Sequence, residues 1–368
     1  MTAPLVSASP FSGSYRPGDV EFLLKPIAVE WVDLATKERL IQTGQRHYSE
    51  LLSPESLPSP RYLELFEQAL AFNLGRMAQG VLDLAAIITN RCEGPIVLVS
   101  LARAGTPIGV ALRHVLNEHF QRPAVHYSVS IIRDRGIDRN ALRYLLDRYE
   151  PDRFVFIDGW TGKGVIAREL RQALADFACE TGIQLNDRLY TLTDLAGVGV
   201  APSDEDYLIP SSILNTTISG LISRSILNDQ IGLDDFHGCV YYTEFAHADR
   251  SVWFIEQLLE EARALIRGGY RPNAQPIDPR RAQERTRSLL ATIEGRFGIQ
   301  DLNRIKPGIG EATRVLLRRL PERVIVRDPS DPAVAHLLAL ANEKDVPCQV
   351  NPELPYRAVS LIRGVADA

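Results

Sequence analysis

The sequence predicts an α/β protein: a parallel β-sheet covered by helices on both faces, followed by a second, smaller α/β unit. Three observations lead there. From residue 95 onward, short and nearly continuous apolar runs alternate with helical patterns, and such runs mark strands buried on both faces. The first and third of these runs each end in a glycine-containing turn that opens directly into a helix. A chain of 368 residues also exceeds one ordinary core, so two folded units are expected.

Taken in order, the first 58 residues read as irregular, with Pro, Ser and Gly recurring around one apolar run at 20–27. A helix is expected after Ser59-Pro60, since Ser caps helices well and Pro fits their first turn. Leu63, Phe66, Leu70, Leu74 and Met77 then recur at helical spacing. Residues 95–101 (PIVLVSL) form the first buried strand and 105–120 a helix. Residues 124–132 are strand-like and 141–149 helical. Residues 153–157 give a third strand, 164–179 a helix and 189–195 a further strand. Residues 211–268 are expected to be mostly helical, with one apolar aromatic stretch at 239–245. The stretch 271–279 (RPNAQPIDP) has linker composition, and a polar helix follows over 280–297. The last unit reads as helix (311–320), strand (323–326), helix (332–342) and short strand (347–350). This divides the chain into a main domain at 1–270, a linker and helix at 271–303, and a small domain at 304–368. No tandem repeat appears at solenoid periods.

Composition narrows the class. Hydrophobic content of 45% with 24% charged residues is that of a soluble globular protein. No apolar stretch is long enough to span a bilayer, and residues 1–15 lack the basic patch and apolar run of a secretory signal. Cys92, Cys179, Cys239 and Cys348 lie far apart with no C-x-x-C pair, which argues against a zinc site and a disulfide framework. A cytoplasmic protein with no membrane partner is therefore expected; oligomerisation stays open. The net charge of −5 is uneven: residues 271–327 carry +7, residues 1–270 carry −9 and the tail −3. A basic block in an acidic chain suggests a polyanion partner for that block, against the plainer reading of a solvated arginine-rich surface.

In open parallel sheets ligands sit beyond the carboxyl ends of the strands, so the turns there are the places to seek chemistry. The third strand runs out as Phe154-Val-Phe-Ile-Asp158-Gly-Trp-Thr161-Gly162-Lys163-Gly164. A turn of that kind aims backbone N–H groups and a helix dipole at an anion. Thr161 and Lys163 would add a hydroxyl and a point charge, and Asp158 could accept from sugar hydroxyls. This is not a nucleotide-hydrolase P-loop: Ile157 stands where its first Gly belongs and Gly164 where its Ser or Thr belongs. The plain alternative is that Gly159, Gly162 and Gly164 merely permit a tight turn. The first strand ends in a similar turn, Ser100-Leu-Ala-Arg103-Ala104-Gly105-Thr106-Pro107, where Gly105 allows close approach and Arg103 can face a second anionic group. The charged segment at 131–139 (IIRDRGIDR), with Arg133 and Arg135, has the look of a lid over a pyrophosphate, or of an ordinary exposed loop.

These loops resemble those of type I phosphoribosyltransferases. The Asp158 loop is similar to their phosphoribosyl-diphosphate loop, 102–107 to their pyrophosphate loop, and 132–139 stands in place of their flexible loop. Phe11-Ser-Gly-Ser-Tyr15, His47-Tyr-Ser-Glu50 and Asp158-Gly-Trp-Thr-Gly-Lys-Gly164 further resemble a bacterial phosphoribosyltransferase-like family of tellurite-resistance and stress gene clusters. Some of its relatives carry the label StiP and cysteine protease. Gly159 replaces the second of two consecutive acids usual in the general family, and the loop is one residue shorter.

The resemblance implies a Rossmann-like type I phosphoribosyltransferase core over about 11–270. Its ligand would be phosphoribosyl diphosphate or a related phosphorylated ribose. Phosphate would be held by Ala104, Gly105, Thr106, Thr161, Gly162, Lys163 and Gly164, and catalysis would rest on Asp158, Arg103, Arg133 and Arg135. Mg²⁺ would bind through the substrate phosphates, which need no protein metal cluster. No base for the incoming nucleophile can be named. A binding protein that senses such a metabolite without turnover is the second reading.

The third is a cysteine protease, for which Cys239 in His237-Gly-Cys239 is the best candidate, with His247 also available. Cys239 opens an apolar run, however, and thiols in such runs are usually buried and inert.

In the basic block, Lys306-Pro-Gly308-Ile-Gly310-Glu311-Ala-Thr-Arg314 leads into a helix ending Arg318-Arg319. Gly-x-Gly before a helix exposes amide donors, and Arg314 lies on the same flank one turn in, which suits a phosphate backbone. A capped helix with solvated arginines would look the same. The segment 304–351 resembles the Pelota-like and kink-turn-binding ribosomal-protein fold, with Gly310 where those proteins have Asn. That implies a small α/β/α Pelota-like domain touching RNA through Lys306, Gly308, Gly310, Glu311 and Arg314. Few aromatics interleave with the charge, so single-strand stacking is not indicated by the sequence.

Overall fold

The computed structural model describes residues 9–299 and 301–363. The apolar run at 20–27 splits into two strands, β1 (Glu21–Leu23) and β2 (Lys25–Pro26), with Phe22 and Leu23 fully buried. Helix α1 (Leu34–Gln42) is capped by Asp33, which accepts the Thr36 N–H. The helix expected after Ser59 is α2 (Pro60–Arg91), with the Ser59 hydroxyl accepting the Tyr62 N–H. Its inner stripe, including Phe66, Leu70, Met77, Val81 and Ile88, is buried.

The alternating pattern then unrolls as β3 (Ile96–Ala102), α3 (Thr106–Glu118), β4 (Ala124–Ile132), β5 (Gly136–Ile137), α4 (Arg139–Leu146), β6 (Phe154–Ile157), β7 (Trp160–Thr161), α5 (Val165–Thr181), β8 (Leu189–Tyr190) and β9 (Thr193–Asp194). The main sheet has the order β1-β4-β3-β6-β8, and each of those pairings is parallel. Successive side chains of a strand point to opposite faces. Accordingly Ile96, Leu98, Val155 and Ile157 join α2 and α3 in one core, while Val97, Val99, Phe154 and Phe156 join α4 and α5 in the other. In the register Ser100 lies opposite both Ser128 and Ile157, so the turns after β3 and β6 leave the sheet side by side.

Residues 211–250, expected to be helical, are not. They form 3₁₀ turns and isolated bridges, with β10 (Gly238–Cys239) pairing with β2, and only α6 (Ser251–Arg267) is an α-helix. The apolar positions there suit a helix, but the hydroxyls compete for the backbone. Ser219 Oγ donates to Asn215 O, and the Val240 and Gly220 N–H groups go to Ser223 and Ser251 side chains.

After α7 (Pro279–Phe297) come β11 (Ile305–Pro307), α8 (Ile309–Arg318), β12 (Pro321–Val326), α9 (Ala335–Glu343), β13 (Cys348–Val350) and β14 (Ala358–Ile362). The strands make one sheet in the order β11-β14-β12-β13. β11 and β14 escaped the sequence reading. β11 is three residues ending in Pro, and β14 lies beyond Pro352 and Pro355 and becomes central only through antiparallel pairing with both β11 and β12. Helix α7 buries Leu289 and Ile293 in this second unit's core, together with Ile305, Leu361 and the distant Leu195.

The two units are firmly joined. Ile309, Ala312 and Leu316 of α8 belong to the same continuous core as α2 and α3. Buried Asp206 accepts the N–H groups of Ile309 at 2.7 Å and Arg357 at 2.8 Å. Arg61 at the start of α2 pairs with Glu343 at the end of α9 at 2.9 Å. Among the described residues no helix is long and apolar enough to cross a membrane.

Candidate functional site

The turns after β3 and β6 meet closely enough that only glycine fits between them. A methyl group on Gly105 would fall on the Ile157 carbonyl oxygen and lie 3.1 Å from Asp158 Cα; one on Gly159 would lie 3.3 Å from Ala104 O. The Asp158 N–H donates to Tyr190 O at 3.0 Å, and Asp158 Oδ1 accepts the Gly159 N–H at 2.8 Å. Burial pushes the Asp158 carboxyl up to about 7, against the opposing pull of that hydrogen bond and of Arg314.

Several side chains expected to face phosphate are engaged inside the fold instead. Thr106 Oγ1 shares a hydrogen bond with Ser128 Oγ at 2.8 Å, and both are fully buried. Thr161 Oγ1 accepts the N–H of Gly164, whose φ of +71° favours glycine. Arg103 holds Glu55 at 2.6 Å, Thr216 Oγ1 at 2.8 Å and Ile222 O at 2.7 Å. It is a bracket for the 211–222 turns. Arg135 is tied to Glu50 and to Leu227 O, while the Arg133 N–H donates to Tyr48 OH at 2.8 Å.

The residues expected to touch RNA face these same turns. A methyl on Gly162 would lie 3.2 Å from Pro307 O and 3.3 Å from Glu311 Cγ, and one on Gly310 would lie 3.4 Å from Trp160 Nε1. Arg314 stands 5.6 Å from the Trp160 ring and pairs with Glu311 at 3.1 Å. Lys163 donates to Leu302 O. Burial, helped by Lys306, brings Lys163 down to about 8. Burial also lowers Lys306, while Glu311, despite its own burial, is held below the ordinary carboxylate value by Arg314, Lys306 and Lys163. Gly308, at φ +89°, starts α8 beside Leu195 and Asp206. The two sets of residues that read as separate sites in the sequence thus pack against each other along one charged seam. Sequence reasoning missed Trp160, Tyr48 and Asp206 as members. The His47–Glu50 motif offered a signal for Tyr48; nothing marked Asp206.

The thiols have no such setting. Cys239 is fully buried in the apolar core, and burial raises its pKa far above the ordinary value. The neighbouring His237 turns Nδ1 to Ser130 Oγ at 2.7 Å, and its ring is kept below the ordinary imidazole value by burial. Cys179 and Cys348 are exposed, and Cys92 is partly exposed at the end of α2. Burial raises Cys92, with Arg122 and Arg91 pulling the other way. Among the described residues no thiol hydrogen-bonds to an imidazole, and no group of three or more His, Cys, Asp or Glu could hold a metal ion.

Residues 13–259 match the family model described as "Tellurite-like stress resistance cysteine protease StiP", and residues 284–364 match the PELOTA RNA binding domain. The chain is 41% identical over 375 residues to a protein of Acinetobacter baylyi named "Cysteine protease StiP", covering 98% of this chain and 96% of that one. An aminotransferase crystal structure from Anaerococcus prevotii aligns at 11% identity with a TM-score of 0.21 over 74% of this chain and 80% of that one, too weak to carry an argument.

The full-length relation overturns the reading as a phosphoribosyltransferase and its transferase vocabulary, and gives phosphoribosyl diphosphate no support as a partner. The locked hydroxyls of Thr106 and Thr161 and the engaged Arg103 agree with that correction. What misled was the shape of two turns that many ligands can share. On a family match through two thirds of its length and a relative aligned from end to end, the chain belongs to the StiP family, with a PELOTA RNA binding domain at its C-terminal end.

Proposed function

We propose that this protein is a thiol-dependent peptidase carrying an RNA-binding unit. The observation that carries the reading is the 41% identity, through 98% of the chain, to a protein named a cysteine protease. In such chemistry a thiolate attacks the scissile carbonyl, the amine leaves with a proton supplied by an acid, and water releases the acyl group. Cys92, Cys179 and Cys239 lie inside the family-matched segment, and Cys348 lies outside it. Cys92 is partly exposed and is the one of the three with guanidiniums, Arg122 and Arg91, pulling toward the thiolate, though burial still holds its thiol above the ordinary value. Cys239 has neither. As no described thiol sits on an imidazole, cleavage needs a rearrangement that brings one there.

The test is hydrolysis of casein and of a mixed peptide library by the reduced full-length protein and by Cys92→Ala, Cys179→Ala and Cys239→Ala. Loss in Cys92→Ala alone is the expected result. Undiminished hydrolysis by all three variants, or none by the parent protein from pH 5 to 9, refutes the peptidase reading.

RNA binding rests on the match of residues 284–364 and on the basic block of 271–327. Retention of labelled RNA at low salt, falling steeply as salt rises, is the expected behaviour.

A further inference from the structure

We propose that the charged seam between the two units is a single-stranded RNA site, completed by the N-terminal unit, which supplies the aromatic platforms and half of the cations. The proposal rests on the reading of the C-terminal unit as RNA-binding and adds to it.

Three observations converge on it. The first is charge. Lys306 shares its surroundings with Glu311, Arg319, Arg133 and Arg314, and Arg319 in turn reaches the field around Arg224. Lys163 lies beside Lys306 and Glu311. Lys306, Arg314 and Arg319 of the C-terminal unit and Lys163, Arg133 and Arg224 of the N-terminal unit therefore form one linked series. In it Arg314, Lys306 and Lys163 flank Glu311, Arg314 alone reaches Asp158, and Asp134, Asp301 and Glu55 stand beside the outer members. The excess of positive charge suits a phosphate backbone, and its division between units means that a strand lying there touches both.

The second is the aromatic rings. The basic block is poor in them, and the fold brings them from elsewhere. Trp160, partly exposed, has Arg314 5.6 Å from its ring, and Tyr48 is flanked by Arg133 at 5.7 Å and Arg224 at 5.4 Å. Rings beside guanidiniums, along a cationic groove, are what successive unpaired bases stack on.

The third is access. Arg133 keeps 43% of its side chain exposed, Arg314 41% and Glu311 24%, so the outer edge of the seam is accessible to a ligand while Asp158 lies in drier surroundings beneath it. A duplex, whose bases stay stacked inside, would use the cations and leave both rings idle.

The test uses the full-length protein and a fluorescein-labelled 12-nucleotide oligouridine, followed by anisotropy over a potassium chloride series, with a 12-base-pair RNA duplex as comparator. Arg314→Gln and Arg133→Gln are each expected to weaken binding several-fold and to flatten the log Kd against log salt slope by about 0.7. Trp160→Leu is expected to weaken the oligouridine by about 5- to 100-fold with the slope unchanged, as befits a lost stack. Trp160→Phe should recover most of it, and separates a lost stack from a disturbed seam. The duplex should bind less tightly than the oligouridine and ignore Trp160→Leu.

If Arg314→Gln weakens binding while Arg133→Gln and both Trp160 variants leave it untouched, the C-terminal unit binds alone and the shared site is refuted, with RNA binding intact. Preference for the duplex refutes the single-stranded occupant. No binding of either RNA at 20 mM salt refutes RNA binding itself and this site with it.

Discussion

Asp158→Asn is the substitution whose effect follows most directly from the structure. The Asp158 carboxyl has an ordinary value of 3.8, which burial in the folded chain pushes up to about 7. Between those two values the folded protein keeps a proton that the unfolded chain has lost, so stability falls as pH rises through the window and levels off above it. At about 1.4 kcal/mol per unit, the buried charge costs about 4 kcal/mol at pH 8 and about 2 kcal/mol at pH 5. These are upper bounds, because the residue is partly exposed and solvent screens part of the cost. Asn keeps an oxygen for the Gly159 N–H and carries no charge. The variant should therefore gain about 2–3 kcal/mol more, relative to the parent, at pH 8 than at pH 5. Urea unfolding of both proteins at the two pH values measures this directly. Other titrating groups, Asp206 at about 6 among them, are common to both proteins and cancel in the difference. A difference between variant and parent that does not change with pH would show that Asp158 titrates normally, and that water reaches it beneath the seam.

Three further outcomes are expected. Gly105→Ala places a methyl on the Ile157 carbonyl oxygen and 3.0 Å from Leu101 N, so it should cost about 1–3 kcal/mol in urea unfolding. Glu55→Ala strips a largely buried partner from Arg103, 2.6 Å away, and should cost about 3–5 kcal/mol, with increased proteolysis at 211–222. Ellman's reagent should modify Cys179 and Cys348 within seconds, Cys92 more slowly, and Cys239 only on unfolding; mass spectrometry assigns the sites, and rapid modification of native Cys239 would contradict its burial.

The central strands of the main sheet were legible in the sequence because they are short, largely apolar and bounded by turn residues, whereas β1 lay in a stretch read as irregular and the expected 189–195 strand divides into β8 and β9. Ile96–Ala102 and Ala124–Ile132 fall almost on their expected limits, and so does the Ser59 cap. Residues 211–250 were not legible. Their apolar positions suit a helix, but the serine and threonine side chains that divert the backbone find distant partners only in the folded state, as Gly220 does with Ser251. β14 depended likewise on two partner strands already being in place.

The candidate site was half legible. The Asp158 and Gly105 turns adjoin as their strand ends imply, yet their residue types do not reveal which groups stay free. Thr161 could as well have faced a ligand as the Gly164 amide. No local signal announces that Trp160 and Arg314, 154 positions apart, share a seam. The cysteine-protease reading ranked last in the sequence for a different reason: its support is relatedness along the whole chain, whereas nothing around Cys239 speaks for it.

Leu195 has a consequence for how the chain is made. It projects from the end of β9 into the second unit's core, and its carbonyl accepts the hydroxyls of Thr286 at 2.7 Å and Tyr356 at 2.8 Å. During synthesis its partners emerge up to 161 residues later. At about 5–20 residues per second, Leu195 and its neighbours wait roughly 8–30 s on the ribosome without cover. A nascent chain stalled in that interval presents a sticky edge to whatever is near, so stop codons placed between 200 and 350 should yield fragments that chaperones retain.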